Sequence, residues 1–173
     1  MKKQKKTKIC ENTYELQYWG ENRLVTGIDE AGRGPLAGPL SVAGVVFPPG
    51  YHNDEIYDSK SLSEKQRNRL YDVILHDALW YEIILVDEAE IDRYNILEAD
   101  RKAMTKIALD SPGEVILTDA MKLGIDHPVI DLVKGDQKSI SIAAASILAK
   151  VTRDRIMEMY DRIYPQYGLA RNK

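Results

Sequence analysis

The sequence predicts an α/β fold in which helices flank a mixed central sheet. Short apolar segments with the composition of β-strands alternate with longer segments whose apolar residues recur every three or four positions. The later part of the chain has the order strand, helix, strand, strand, helix, which is typical of layered α/β proteins. With 173 residues, no internal repeat and no second-domain boundary, the chain is expected to form one domain.

Each element is predicted from its local pattern. Apolar runs predict strands at residues 24–28, 40–47, 80–86, 114–118 and 128–133. Helical periodicity predicts a helix that opens at Ser63, a second over about 88–109 and a third over 140–164. Ser63 and Gln66 have the spacing of a capping box, and Ser-Pro-Gly at 111–113 is expected to stop the second helix.

Composition indicates a globular protein, because hydrophobic residues make up 44% and charged residues 29% of the chain. No apolar run approaches the roughly 18 residues that a membrane-spanning helix needs, so we expect no membrane association. The single Cys10 cannot form an internal disulfide, which favours a reducing, cytoplasmic location.

The charge is distributed unevenly along the chain. The net charge is −3, yet the first eight residues contain five lysines and no acid. We expect residues 1–20 to be a basic N-terminal extension and 21–173 to be the folded domain. The lysine run predicts a solvated tail or, alternatively, a loose phosphate-binding arm. Glu11 and the polar residues after it follow the run, so it does not have the apolar core of a secretory signal.

A glycine- and proline-rich loop follows the first strand, within residues 26–39 (TGIDEAGRGPLAGP). Glycine lets the backbone approach a ligand closely, while Pro35 and Pro39 stiffen the turn. Asp29 and Glu30 precede the loop. Because side chains alternate along a strand, we expect them to share a site only if the chain leaves strand geometry near Glu30. The alternative is a tight hairpin with a solvated acidic corner. The glycine spacing is not that of a dinucleotide-binding loop.

Acids stand at three predicted strand ends: Asp29 with Glu30, Asp119 and Asp136. Ligands of open α/β sheets gather where strands end, so we expect these side chains to converge. Two carboxylates about 4 Å apart repel by roughly 4 kcal/mol at an effective dielectric of 20, and Mg²⁺ or Mn²⁺ would offset this. Two such ions could activate a water and stabilise a leaving oxygen at phosphorus. The alternative is that these acids only cap elements or face solvent.

Other catalytic chemistries have weaker candidates. The three histidines, His52, His76 and His127, lack the spacing of metal ligands, and no Ser or Cys lies in a nucleophile elbow. Basic and polar residues that could bind a phosphodiester are more numerous: Arg33, Lys60, Ser139, Ser141, Lys150, Arg153 and Arg155. Each residue alone would be interpreted as a surface residue. Together with the acids, however, they favour a nucleic-acid substrate. The serines are expected near a helix N-terminus, where phosphate is favoured.

The chain resembles type 2 ribonuclease H, also called ribonuclease HII, from about Val25 to Lys173. Five motifs carry the resemblance in order: residues 27–39, 58–63, 94–96, 133–136 and 142–154. The resemblance implies an RNase H-like fold and a monomer that cuts the RNA strand of RNA–DNA hybrids, and duplex DNA at embedded ribonucleotides. The implied products have 5′-phosphate and 3′-hydroxyl ends.

The resemblance also implies residue roles. The implied catalytic residues are Asp29, Glu30, Asp119 and Asp136, which would bind Mn²⁺ or Mg²⁺, with two ions in the substrate complex. The backbone of Gly32, Arg33 and Gly34 is expected to contact the ribose 2′-hydroxyl, with Lys60, Ser139, Lys150 and Arg153 as further nucleic-acid contacts.

Two departures from the family's pattern qualify these expectations. Ala120 follows Asp119 where the family usually has glycine. The family also continues past the position of Lys173 with a Gly-Tyr pair and further helices, and that tyrosine helps recognise the ribonucleotide–deoxyribonucleotide junction. We therefore expect weak activity or poor junction selectivity of the 173 residues, with a non-catalytic hybrid-binding module as the alternative function. Metal-free cleavage through the 2′-hydroxyl is a further alternative within nucleases.

Overall fold

The computed structural model describes residues 9–172, so the lysine run at 2–8 lies outside the described residues. The helices are α1 (Thr13–Gly20), α2 (Glu64–Asp77), α3 (Glu88–Tyr94), α4 (Ile96–Asp110) and α5 (Ile140–Ile163). The strands are β1 (Val25–Ala31), β2 (Leu40–Val46), β3 (Trp80–Val86), β4 (Val115–Asp119) and β5 (Val129–Leu132). Short 3₁₀ turns lie at Ser59–Ser61, Gly135–Gln137, Pro165–Tyr167 and Leu169–Arg171.

The five strands form one mixed sheet in the order β3-β2-β1-β4-β5, which confirms the predicted fold class. β1 pairs antiparallel with β2 and parallel with β4, and β4 pairs parallel with β5. The carboxyl ends of these three parallel strands therefore meet at one edge of the sheet, with Asp119 as the last residue of β4. This edge holds the candidate site.

Helices cover both faces of the sheet. Ala43 of β2 packs with the alanine run 143–145 of α5, whereas the adjacent Val42 packs with Met104 and Ile107 of α4. Because adjacent strand residues point to opposite faces, α4 and α5 lie on opposite sides. Gly27 lets α5 approach closely, since a Cβ there would lie 2.2 Å from the Ile142 nitrogen.

Two local predictions have opposite outcomes. The capping box of Ser63 and Gln66 is confirmed, because each side chain bonds the other residue's backbone. The single helix over 88–109 is wrong: α3 and α4 are separate helices, divided at Asn95. Asn95 has φ +65°, and its side chain accepts hydrogen bonds from the backbone N–H groups of Leu97 and Glu98. An N-cap therefore starts a new helix where apolar periodicity alone predicts continuity.

Part of the expected N-terminal extension packs on the domain. Asn12 accepts a hydrogen bond from the Ile140 N–H at 2.8 Å, and the buried Glu15 of α1 accepts one from the Ser141 N–H at 3.2 Å. Cys10 is also buried. The folded part of the chain therefore includes residues 10–20, upstream of the expected boundary at residue 21. The periodicity of so short a helix is too weak to predict this.

None of the helices in residues 9–172 combines the length and the apolar character that crossing a membrane requires.

Candidate active site

A pocket of about 380 Å³ opens at the carboxyl-end edge of the sheet. Three of the four predicted acids line it, namely Asp29 and Glu30 from β1 and Asp119 from β4. The predicted nucleic-acid contacts that also line it are Gly32, Arg33, Gly34, Lys60, Lys150 and Arg153. The convergence of acids from separate strands beside a glycine loop is thus seen directly.

Asp29 and Glu30 reach this pocket without the expected break in the strand. β1 keeps its ladder through Ala31, which pairs with Ser41, so the condition that the chain leave strand geometry near Glu30 for a shared site is wrong. Asp29 faces Ser146 of α5, and Glu30 faces Asp100 of α4. Both side chains still reach the pocket because it lies at the end of the sheet, where the two faces meet.

Burial dominates the electrostatics of these two acids. It raises the pKa of Asp29 well above its usual value, and the charges of Glu30 and Asp119 add to the shift. Burial also raises the pKa of Glu30, although the nearby Arg33 guanidinium opposes it. Within residues 9–172 Glu30 Oε2 is buried and has no hydrogen-bond partner. A positively charged group in the pocket would offset the cost of burying these two carboxylates.

Asp119 connects the pocket with Asp136. Asp119 Oδ1 accepts a hydrogen bond of 2.9 Å from the N–H of Gly135, which opens the turn that carries Asp136. Burial raises the pKa of Asp136 to about 6, helped by the charges of Asp58 and Asp119. Asp136 itself does not line the pocket but lies within electrostatic reach of Asp119.

Asp100 of α4 belongs to this charged group, although the sequence analysis missed it. Its side chain is fully buried, and its Oδ2 lies 3.5 Å from Arg33 Nε. Burial raises its pKa to about 8, the charge of Glu30 adds to the shift, and Arg33 opposes it. Asp100 shares the apolar stripe of α4 with Ala103 and Met104, so an acid at a core position of an amphipathic helix was the available signal.

Arg153 has a role beyond the one expected. It is 1% exposed, and its guanidinium donates to the carbonyls of Ala37 at 2.7 Å, Pro39 at 3.0 Å and Asn172 at 3.0 Å. Three of its N–H groups therefore make these bonds, two of which anchor the glycine loop to α5, and burial lowers the pKa of Arg153. Arg153 borders the pocket and positions the loop, and its contact with nucleic acid stays a prediction.

Two glycines of the loop are required by this anchoring. Gly32 has φ +116°, and a Cβ there would lie 2.6 Å from Arg153 Nε. Gly38 has φ +87°, and a Cβ there would lie 2.2 Å from Met157 Sδ. Gly34, in contrast, borders open space. The backbone around Gly34 is therefore the part of the loop that a ligand can approach.

The lysines and Ser139 also differ from one another. Lys60 is exposed at the pocket, and Lys150 pairs with Asp154 at 2.7 Å while bordering it. Ser139 is fully buried, caps α5 and hydrogen-bonds Glu15. The expectation that Ser139 binds nucleic acid is therefore wrong in this structure, because the Glu15 carboxylate occupies the position that a phosphate would take at this helix N-terminus.

The site is not a ready-made metal cage. Within residues 9–172 no three His, Cys, Asp or Glu side chains lie close enough together to surround one ion. The acids nevertheless fit a divalent cation by chemistry, since they offer oxygen ligands and include the buried, unpartnered Glu30 Oε2. Such binding would require these side chains to rearrange around the ion.

Comparisons with known proteins decide the family. The model of the family described as ribonuclease HII matches residues 26–173. The chain belongs to the ribonuclease HII family. The ribonuclease HII of Lactobacillus helveticus is 51% identical over 162 residues, which cover 92% of this chain and 65% of that protein. The chain thus spans about two thirds of the length of this ribonuclease HII relative.

Solved structures agree with this family assignment. The ribonuclease H2 of Pyrococcus horikoshii has a TM-score of 0.73 at 30% identity, covering 82% of this chain and 77% of that one. The ribonuclease HII of Archaeoglobus fulgidus, solved in complex with PCNA, has a TM-score of 0.72 at 29% identity, covering 82% and 78%. These likenesses confirm the RNase H-like fold.

Proposed function

We propose that this ribonuclease HII chain is a divalent-metal-dependent endoribonuclease. Its substrates would be the RNA strand of RNA–DNA hybrids and ribonucleotides embedded in duplex DNA. The observation that carries the proposal is the pocket in which Asp29, Glu30 and Asp119 converge beside the glycine loop. Family membership supports the same activity.

The acids are the proposed ligands of two Mg²⁺ or Mn²⁺ ions. Asp29, Glu30 and Asp119 line the pocket, and Asp136 is positioned next to Asp119 by the turn at Gly135. When bound, the ions would supply an activated water and neutralise charge on the phosphate. The raised pKa of Asp29 supports the proposal, because burial first and repulsion by Glu30 and Asp119 second disfavour its charged form, which a cation would stabilise.

The neighbouring residues are proposed to bind the nucleic acid. Lys60 is exposed at the pocket and Lys150 borders it, so both can attract a phosphate. The backbone at Gly32, Arg33 and Gly34 can come close to a ribose, and a 2′-hydroxyl is the group by which a protein distinguishes RNA from DNA. Arg153 keeps this loop in place through its bonds to Ala37 and Pro39.

The test is cleavage of two labelled duplexes, an RNA–DNA hybrid and a DNA with one ribonucleotide, with Mg²⁺ or Mn²⁺. We expect products with 5′-phosphate and 3′-hydroxyl ends, and a loss of about 100-fold or more in Asp29→Asn. The control is Asp131→Asn, which removes an exposed acid from β5 and should leave the rate unchanged.

Three outcomes would contradict the proposal. Cleavage that persists both with a chelator and in Asp29→Asn would show that the reaction does not need the metal-binding acids. Products with 2′,3′-cyclic phosphate ends would show attack by the 2′-hydroxyl. Hybrid binding without turnover under any divalent ion would indicate a binding module.

We further propose that the chain acts as a monomer in the cytoplasm. The single cysteine, Cys10, is buried, and its pKa is raised to about 12 mainly by burial, so it is not a reactive thiol in the folded chain. Size-exclusion chromatography with light scattering tests the oligomeric state, and a dimer mass would contradict the proposal.

A further inference from the structure

Asp100 is a buried acid that the proposed function does not use. Its side chain is fully buried on α4, and neither carboxylate oxygen accepts a hydrogen bond from residues 9–172. It forms an ion pair with Arg33, whose Nε lies 3.5 Å from Oδ2. Buried acids without hydrogen bonds are costly, so an acid at this position calls for a physical reason.

Arg33 lies between two acids. Its Nη1 is 3.3 Å from Glu30 Oε1, while its Nε faces Asp100. A guanidinium has five N–H donors in a rigid fork, so it can serve two carboxylates at once. Arg33 also belongs to the glycine loop and borders the pocket, so this contact links α4 to the substrate loop.

We propose that Asp100 is a positioning residue that holds Arg33 when Glu30 turns to a divalent cation. The inference rests on the proposed function, because it concerns the metal-binding role of Glu30. Arg33 holds Glu30 through Oε1, and no ready-made cage exists among residues 9–172, so in this proposal Glu30 turns from the guanidinium to the cation. Asp100 is the acid that then remains beside Arg33.

The energetic consequence concerns competition for Glu30. With Asp100 ionised, Arg33 keeps a charged partner after Glu30 has turned, so the guanidinium at the loop is not left unpaired. Without Asp100, Glu30 is the acid left beside Arg33, and the guanidinium competes with the cation for the same carboxylate. The effect of Asp100 on cation affinity should therefore act through Arg33.

The experiment is a double-mutant cycle read out by calorimetric titration of the full chain with Mg²⁺. The titrations are run at about pH 8.5, where most of the Asp100 carboxyl is ionised. We expect Asp100→Asn to weaken Mg²⁺ binding about fivefold, and to have less than about a twofold effect in the Arg33→Gln background. Asp110→Asn removes an exposed acid from the same helix and should leave the affinity unchanged.

The outcomes separate this inference from the proposed function. If the unmodified chain took up no Mg²⁺, the proposed function itself would fail. If it bound Mg²⁺ and Asp100→Asn bound equally well, or lost the same factor in both backgrounds, only the role of Asp100 would be overturned. Circular dichroism checks each variant, with Asp100→Ser as a smaller replacement. Loss of folding in both Asp100 variants would make Asp100 a structural acid and overturn the proposal.

Discussion

Four carboxyl groups around the pocket, those of Asp29, Glu30, Asp100 and Asp136, have raised pKa values, and burial is the first cause at each of them. The pKa of Asp29 is well above its usual value, that of Asp136 is about 6 and that of Asp100 about 8. A group that binds its proton more tightly when folded stabilises the fold below its unfolded pKa, and this contribution is lost as the pH rises through the folded value. These acids therefore make the ion-free protein less stable as the pH rises.

The first prediction concerns the pH dependence that Asp100 causes. Its ordinary pKa is 3.8 and its folded value about 8, so its contribution to the free energy of unfolding should fall between about pH 4 and pH 8. Asp100→Asn cannot ionise, so its stability should fall less over this range, by about 2 kcal/mol or more. Urea unfolding at pH 5 and at pH 8.5 in the presence of a chelator measures the difference.

Asp110→Asn is the control for this prediction, because Asp110 lies exposed at the end of the same helix beside Lys106. Its stability should follow that of the unmodified chain at both pH values. Parallel pH profiles for Asp100→Asn and the unmodified chain would contradict the raised pKa of Asp100.

Single residues show where sequence reasoning is sufficient. Asp29, Glu30 and Asp119 could be predicted because each stands at the end of an apolar run, and topology brings such ends together. Arg153 and Ser139 could not, because the sequence does not reveal whether donors are free or already occupied. A buried side chain and an exposed one of the same type look alike until the packing is known.

At the level of elements, the glycine loop depends on α5. Arg153 binds two loop carbonyls and is almost fully buried, and Gly32 packs against its side chain. The loop is therefore held by a helix more than 100 residues away in sequence, with separations of 114 and 116 residues for the two bonds. This long-range support is what keeps a loop of glycine and proline in one conformation.

The second prediction is that Arg153→Met destabilises the protein by about 2–4 kcal/mol, because buried carbonyl partners lose charged donors. We also expect faster proteolysis within residues 32–39. Arg155→Met is the matched control, since Arg155 lies exposed on the same helix and stacks on Tyr71, with an expected cost of about 1 kcal/mol or less. Equal losses of stability in the two variants would show that the loop does not depend on Arg153.

The N-terminal helix and α5 form a second coupled unit. Asn12 and Glu15 accept hydrogen bonds from the first backbone N–H groups of α5, which would otherwise lack partners. The Cys10 thiol lies 3.6 Å from the Asp136 carbonyl oxygen. Residues 10–15 therefore support the turn that carries Asp136.

The third prediction tests this support with two asparagines of similar backbone geometry. Asn12 has φ +51° and Asn22 has φ +59°, so glycine fits the backbone at both positions. Asn12→Gly should lower the free energy of unfolding by about 1–2 kcal/mol, because the Ile140 N–H loses its acceptor. The exposed Asn22 is the control, and Asn22→Gly should be nearly neutral. Equal effects in urea unfolding would contradict the capping role of Asn12.

Helices and strands could be predicted from the sequence where their local patterns are strongest. The five strands and α5 could be predicted because apolar runs and a long helical period are unambiguous. The break at Asn95 was missed because the apolar period continues across it, and only the cap geometry divides α3 from α4. The continuation of β1 through Ala31 depends on pairing with β2, which a local pattern does not contain.

Over the whole molecule, acids outnumber basic residues by 27 to 24, so no general positive field attracts a nucleic acid. The fold concentrates several of these acids at one edge of the sheet, where burial and mutual repulsion raise their pKa values. Binding of a divalent cation should therefore stabilise the whole fold as well as support catalysis.

The last prediction follows from this linkage. A cation that binds only the folded state stabilises it by about 2.7 kcal/mol at 100 times its dissociation constant, which corresponds to a rise in Tm of roughly 5–10 °C for a chain of this size. Differential scanning calorimetry with increasing Mg²⁺ at a fixed pH of about 8 measures the rise. Asp119→Asn should lose most of it and Asp131→Asn should retain it, because Asp119 lines the pocket and Asp131 is exposed on β5. An equal rise in NaCl of the same ionic strength would show general screening of charge and contradict specific binding at the pocket.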